Sequence, residues 1–327
     1  MGRYLVRRTL YGVLVLIGVN LATFLLFFTV NTPDDMARLN LGGKRIGQDA
    51  VERWKAERGY DRPLWWNGKE PGTRQATETI FWERSVSLFA LDFGRADGEA
   101  GGDIGHEVAK RMWVSIQFAL PLFLLQVVAS VGFALVLVLF RQSALDRWGV
   151  VLCVVMLSIS AFFYIIVGQY LFSRVLKLAP ISGFAGGFDL VKFLALPILL
   201  ALVARLGTEA RLYRAMFLEE QGKDYVRTAR AKGLSEGRVL GVHVLRNALI
   251  PIVTSAGGYL PYVFLGSLVF ESFFGIPGLG AYTIDAITKQ DFAIVRTMVF
   301  VGSLLYIATY LLIDVAYTWV DPRVRLT

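Results

Sequence analysis

Five stretches of this chain, at about 10–30, 113–140, 148–172, 249–270 and 294–320, run for twenty or more residues with almost no charge. A sixth, about 192–213, is apolar but interrupted by Arg205, Glu209 and Arg211. That feature leaves few folds open. A helix rising 1.5 Å per residue needs about 20 apolar residues to cross ~30 Å of hydrocarbon. Lipid offers no hydrogen bonds, so each crossing segment must satisfy its own backbone, as a helix does. The expectation is an all-α integral membrane protein with six transmembrane helices. Only 18% of the 327 residues are charged, against roughly a quarter in soluble domains. The net charge of +8 alone would suit a nucleic-acid partner. The cations, however, lie mainly in loops beside the apolar runs, the pattern that fixes topology in a lipid bilayer, and no nucleic acid is expected.

Arg3, Arg7 and Arg8 precede the first run, and Asn31, Thr32 and Pro33 after it offer no small-x-small cleavage site. Residues 1–30 therefore read as a cytoplasmic N-terminus and a retained first span. Residues 31–112 are polar and hold Trp54, Trp65, Trp66 and Trp82, which predicts a small extracytoplasmic lobe. The tryptophans suit either an interfacial anchor or a small core. Residues 49–58 predict a short helix ended by Gly59, and 98–102 a mobile insertion; contact with substrate is a further reading of the lobe. Residues 113–327 form the transmembrane core of spans, in which Pro121 is tolerated and Cys153, the lone cysteine, fills space. The lower turns of the fourth span are expected to project into the cytoplasm and lead into a loop at about 214–250. Gly257, Gly258, Pro261 and Gly266 let the fifth span pack closely or bend beside a pore. Arg296 is expected at the outer end of the last span, reaching headgroups, and Asp314 near its inner end, paired with a basic group. Both termini are expected in the cytoplasm.

The longest polar, cationic segment between two apolar runs is 224–251, with Lys223 just before it. Asp224 is placed to cap a short helix over 225–232, and Gly233 to end it in the left-handed conformation. Ser235 is placed to cap a second helix that runs toward Asn247 before Pro251 opens the next apolar run. Ala229 and Ala231 are small enough to let another surface approach the backbone. Asp224, Tyr225, Val226, Arg227, Thr228, Ala229, Arg230, Ala231, Lys232, Gly233 and Leu234, followed by His243, Val244, Leu245, Arg246, Asn247, Ala248, Leu249, Ile250 and Pro251, resemble the coupling loop of ABC importer permeases. The resemblance is to the B-type subunit of the dipeptide and oligopeptide importers. The broader importer motif has Glu where Arg227 stands; the arginine is usual in the peptide subfamily. Glu271, Phe274, Pro277, Gly278 and Gly280, and the Asp321, Pro322, Arg323 and Arg325 end, also resemble family segments. The match covers nearly the whole chain and is weakest over 31–112.

The resemblance implies a type I ABC importer permease fold in a bacterial cytoplasmic (inner) membrane. It also implies a second homologous permease subunit, two ABC ATPase subunits and an extracytoplasmic substrate-binding protein. Residues 224–234 would dock on an ATPase, supported by His243, Arg246, Asn247 and Pro251. Gly257, Gly258, Pro261, Glu271, Pro277, Gly278 and Gly280 are pore or gate candidates. The residues themselves offer no catalytic set, no phosphate loop and no metal cluster, so neither enzyme activity nor a cofactor is expected. Di- and oligopeptides are the implied cargo, with glutathione, a nickel chelate or a sugar as alternatives. A stand-alone secondary transporter would need paired broken helices and midplane charges, which the sequence lacks.

Overall fold

The computed structural model describes residues 2–42, 46–98, 101–187 and 189–320. Gly43 and Lys44, the middle of the 98–102 stretch and the Asp321–Arg325 end therefore lie outside the described residues. Those described are helical or in loops, with no β-strand. Five helices are long and apolar enough to cross a membrane, or six if a bent pair counts as one span. The chain is an all-α membrane protein, as the apolar runs predict. Its residues group into two units.

The first unit joins residues 1–113 to 279–311. Helix α1 (Gly2–Val30) supplies Phe24 and Phe28 to a core completed by Met36, Val51, Trp54, Tyr60 and Ile80. Short helices α2 (Pro33–Asn40), α3 (Gln48–Arg58) and α4 (Arg74–Thr77) surround that core. Thr32 caps α2 in a reciprocal capping box with Asp35, and Gly59 at φ +70° ends α3 where a left-handed residue is needed. Of the tryptophans, Trp54 joins this core, buried and stacked on Tyr60 at 5.4 Å, while Trp65, Trp66 and Trp82 stay well exposed.

A buried polar knot ties this core to the start of helix α15 (Phe292–Val320). The Tyr60 hydroxyl donates to both Asp97 oxygens at 3.0 Å, and the Ala293 N–H donates to Asp97 at 3.1 Å. Asp291 accepts from the Ile294 and Gly98 N–H groups. Burial drives the Tyr60 hydroxyl well above its ordinary range and so keeps it a donor. Arg296 does not reach headgroups as its position suggested. It is 6% exposed, with its guanidinium 5.2 Å from the Phe28 ring centroid. The residues around it close over the charge, because Phe28 and the knot occupy the space on its side of the helix.

The second unit joins residues 114–278 to 312–326. Helix α5 (Ile104–Leu139) runs into it and is followed by α6 (Ala144–Ser158) and α7 (Ala161–Gly168). The third span, expected at about 148–172, is two helical pieces bent by 91° between α6 and the stretch 161–175. Ile159 and Ser160 adopt extended backbone, and Ser160 caps α7 by accepting from the Phe163 N–H. Helix α8 (Asp189–Gln221) packs along α6, and a Cβ at Gly207 would meet the Cys153 carbonyl. Only glycine permits that approach. Asp146 at the start of α6 accepts two bonds from Arg214 of α8, each at 2.9 Å, and one from the Gln142 N–H. Asp146→Ala is expected to destabilise this unit by about 2–3 kcal/mol, because it strands a half-buried guanidinium. A thermal melt of the purified protein checks this.

Candidate functional site

Within the first two turns of the loop, the sequence places apolar Val226 and Ala229 three residues apart between cations. They land on one face of helix α9 (Asp224–Ala231) and are buried. Their core comes from Ala134 and Val138 of α5, Tyr213 and Phe217 of α8, and Val239, Leu240, Val244 and Ala248 beyond the turn. An eight-residue helix is too short to be stable alone in water; this packing holds it. Asp224, Arg227, Thr228, Arg230, Ala231 and Lys232 are exposed. The backbone approach expected at Ala229 is therefore made to the chain's own helices, and Ala231 is the small residue left on the outward face.

Asp224 is not the cap. Lys223 holds that position with extended backbone, and the Asp224 carboxylate instead lies 3.5 Å from Arg227 within the first turn. The helix begins one residue early because Lys223, next to Gly222, already satisfies the extended cap conformation. Glu220 at the end of α8 accepts from the Tyr225 hydroxyl at 2.5 Å and pairs with Lys223 at 3.2 Å. Burial, then Glu220, pushes the Tyr225 hydroxyl up to about 12. It therefore remains a donor, and α9 stays stapled to α8, throughout the physiological pH range.

The far end closes as the sequence predicts. Leu234 N–H donates to the Ala229 carbonyl and Gly233 N–H to the Arg230 carbonyl, with Gly233 at φ +76°. This is a Schellman closure, with Leu234 packed back on the α9 core. Arg230 then grips Glu236 through two bonds, at 2.7 and 3.1 Å, and fixes the turn into the next helix. Ser235 stands at the start of α10 (Glu236–Arg238) but makes no side-chain cap bond.

From there the chain stays helical, through a π-type stretch Val239–Val244, into α11 (Leu245–Gly257). Pro251 does not start a new segment but lies inside α11. The loop's second helix and the fifth span are one rod, and the span candidate runs Glu236–Leu265 rather than 249–270. A proline lacks the N–H an internal helical position would donate. His243 lies in the π-type stretch and its carbonyl accepts from Asn247 at 2.8 Å, while Arg246 is exposed.

The pore candidates fall around the end of that rod. Gly257 and Gly258 close α11, and a Cβ at Gly257 would meet Ile313 at 2.7 Å. Pro261 is buried near the start of α12 (Leu260–Leu265). Gly266, at φ +75°, ends it, and Ser267 caps α13 (Leu268–Phe274). Glu271 is fully buried, and its carboxylate accepts from the Ser267 N–H at 3.1 Å. Side chains at Gly266 or Gly278 would overlap that carboxylate and the Ser115 hydroxyl. Glu271 is thus the post around which the segment turns, with its carboxylate facing inward. Gly275 and Ile276 close α13 in a second Schellman turn, leading to exposed Pro277. Gly280 is buried in the first turn of α14 (Leu279–Thr288). Missing from the sequence-based site were Glu220 and Glu236; three- and six-residue spacings from Lys223 and Arg230 were the available signal. Among the described residues no cluster of His, Cys, Asp or Glu could hold a metal ion.

Comparison with known proteins gives matches along the chain. A family model described as "Binding-protein-dependent transport system inner membrane component" matches residues 111–326, and the corresponding N-terminal model matches 1–69. A putative peptide transport system permease protein of Brucella abortus is 32% identical over 326 residues, covering 98% of each chain. The dipeptide transport system permease protein DppB of Bacillus subtilis is 30% identical over 247 residues, covering 76% of this chain and 78% of the relative. The glutathione transport system permease protein GsiC of Salmonella paratyphi A is 29% identical over 322 residues, covering 98% of each.

Proposed function

Because the chain belongs to the family of inner membrane components of binding-protein-dependent transport systems, we propose that it forms half of the translocation path of an ATP-driven importer for di- and oligopeptides. In this reading the outward face of α9 docks on an ATPase subunit, and the chain itself hydrolyses nothing. A second homologous permease completes the path, two ATPases bind below it, and an extracytoplasmic binding protein delivers cargo. In the same reading residues 1–30 are the cytoplasmic N-terminus and first helix, and the 214–250 loop and the C-terminus also lie in the cytoplasm. Residues 31–112 form the extracytoplasmic lobe, and 113–327 the permease core.

The observation that carries the reading is the build of α9. Arg227, Thr228, Ala231 and Lys232 are exposed while Val226 and Ala229 are buried. Glu220 fixes one end of the helix, and the Gly233 turn with Glu236 fixes the other. A short helix held at both ends moves only with the longer helices to which it is fixed. Closure of an ATPase pair against α9 would therefore push α8 and the 236–257 rod together, and that displacement reorients the path. Arg227 and Lys232 supply charge for carboxylates on the ATPase surface.

Peptide cargo follows from the two peptide-permease relatives; the glutathione relative carries the alternative of a modified tripeptide, with nickel chelates or sugars behind it. Co-expression with the neighbouring transport subunits tests both levels. The ATPases should co-purify, and hydrolysis should rise with peptide-loaded binding protein. Stimulation by other solutes alone would replace the cargo. Absence of any co-purifying ATPase would end the docking reading.

A further inference from the structure

Two opposite charges sit one turn apart on α8 and do not pair. Arg205 and Glu209 have the i,i+4 spacing at which a cation and a carboxylate meet on a helix. The Arg205 guanidinium instead lies 4.5 Å from the ring centroid of Tyr259. It makes no contact ion pair with Glu209 among the described residues, although its charge already acts on that carboxyl. Glu209 is only 3% exposed. Its Oε2 accepts from the Ser130 hydroxyl of α5 at 3.4 Å, and that hydroxyl accepts from the Gln126 amide at 3.0 Å. Its Oε1 is buried and makes no bond within hydrogen-bond distance, with the Gln126 amide beside the carboxyl.

A buried carboxylate oxygen without a partner is costly, and the cation that would satisfy it is within reach of a side-chain rotation. Tyr259 lies at the break between α11 and α12, whereas Glu209 lies on α8, whose end carries α9. The two stations open to the guanidinium thus belong to different elements. We propose that Arg205 is a two-position switch: it stacks on Tyr259 in this conformation and pairs with Glu209 Oε1 in the other conformation of the transport cycle. Stacked, it ties α8 to the break at the end of the 236–257 rod. Paired, it releases that tie and leaves α8 free to follow α9. Arg205 and Glu209 act as positioning residues for transport rather than as contacts for cargo. The inference rests on the importer reading above.

The test uses the importer reconstituted with its ATPases and binding protein. Glu209→Gln keeps the shape of the side chain and its bond from Ser130 but removes the negative charge that makes Oε1 a station for the guanidinium. Transport per assembled complex should fall at least tenfold, and ATPase activity should stop responding to loaded binding protein. Tyr259→Leu removes the first station, and ATPase activity should rise severalfold without binding protein. The proposal is overturned if Glu209→Gln keeps both transport and the binding-protein response within twofold of the parent. It is equally overturned if Glu209→Gln lowers only thermal stability while activity per folded complex holds. Failure of the unaltered chain to assemble with any ATPase overturns this proposal and the importer reading together; in an assembled parent, the variants judge the switch alone.

Discussion

Gly233→Val is expected to reduce transport by at least tenfold while the chain still inserts and accumulates. Gly233 sits at φ +76°, a conformation that costs an L-residue roughly 1–2 kcal/mol and a β-branched one more. A Cβ there would meet nothing within 4 Å, so the penalty is conformational rather than a clash. It falls on the two bonds that close α9, from Leu234 to Ala229 and from Gly233 to Arg230. A penalty of 1–2 kcal/mol shifts a local equilibrium by a factor of about 5–30. The spans, held by their own cores, are untouched, so melting temperature should move little. Gly233→Ala should be milder, because it lacks the β-branch. Transport assays in membrane vesicles, normalised to the amount of chain present, separate a broken lever from a lost protein. Equal loss of protein and of transport would count against the lever.

The opposite pattern is expected at Gly266. Gly266→Ala should cost about 3 kcal/mol of stability and deplete the assembled protein, with any surviving protein poorly active. Two independent penalties meet there. The residue is at φ +75°, worth roughly 1–2 kcal/mol. Its new Cβ would also overlap the Glu271 carboxylate and the Ser115 hydroxyl, an overpacking cost of about 1–3 kcal/mol. Glu271 cannot retreat easily, since it is fully buried and already holds the Ser267 N–H. The expected readout is a lowered thermal midpoint in detergent and a smaller yield from the membrane. A Gly266→Ala chain as stable as the parent would show that the 266–278 turn tolerates a different path.

The coupling region was legible in the sequence because its signals are local. Gly233 between a helical pattern and Leu234 announces a left-handed closure, and Val226 with Ala229 marks the inward face. The long apolar runs gave the spans because the 20-residue requirement is unforgiving. What misled were positions decided by tertiary neighbours. Pro251 reads locally as a boundary, yet the surrounding packing keeps the helix continuous from 236 to 257. Arg296 reads as an outer anchor, yet Phe28 and the knot around Asp97 bury it. The uninterrupted apolar run of the third span gave no warning of the bend at Ile159 and Ser160, since both residues are compatible with a helix. Glu271 stood out as a charge near a pore candidate. Its inward orientation depends on Gly266, Gly278 and Ser115 meeting in space, with Ser115 separated from them by more of the chain than local patterns reach.

The docking role of α9 is tested most directly by protection of its outward face. Arg227→Cys and Ala231→Cys place single reactive thiols on exposed positions, while the native Cys153 is buried. Maleimide labelling of each variant should be fast in the isolated chain and slow at least tenfold once the ATPase subunits are bound. Labelling at Arg147→Cys, an exposed position at the start of α6, reports whether assembly shields the whole surface or α9 in particular. Slowing at 227 and 231 that exceeds any slowing at 147 is the predicted result. Undiminished labelling of both α9 positions in an assembled, ATP-hydrolysing complex would contradict the account.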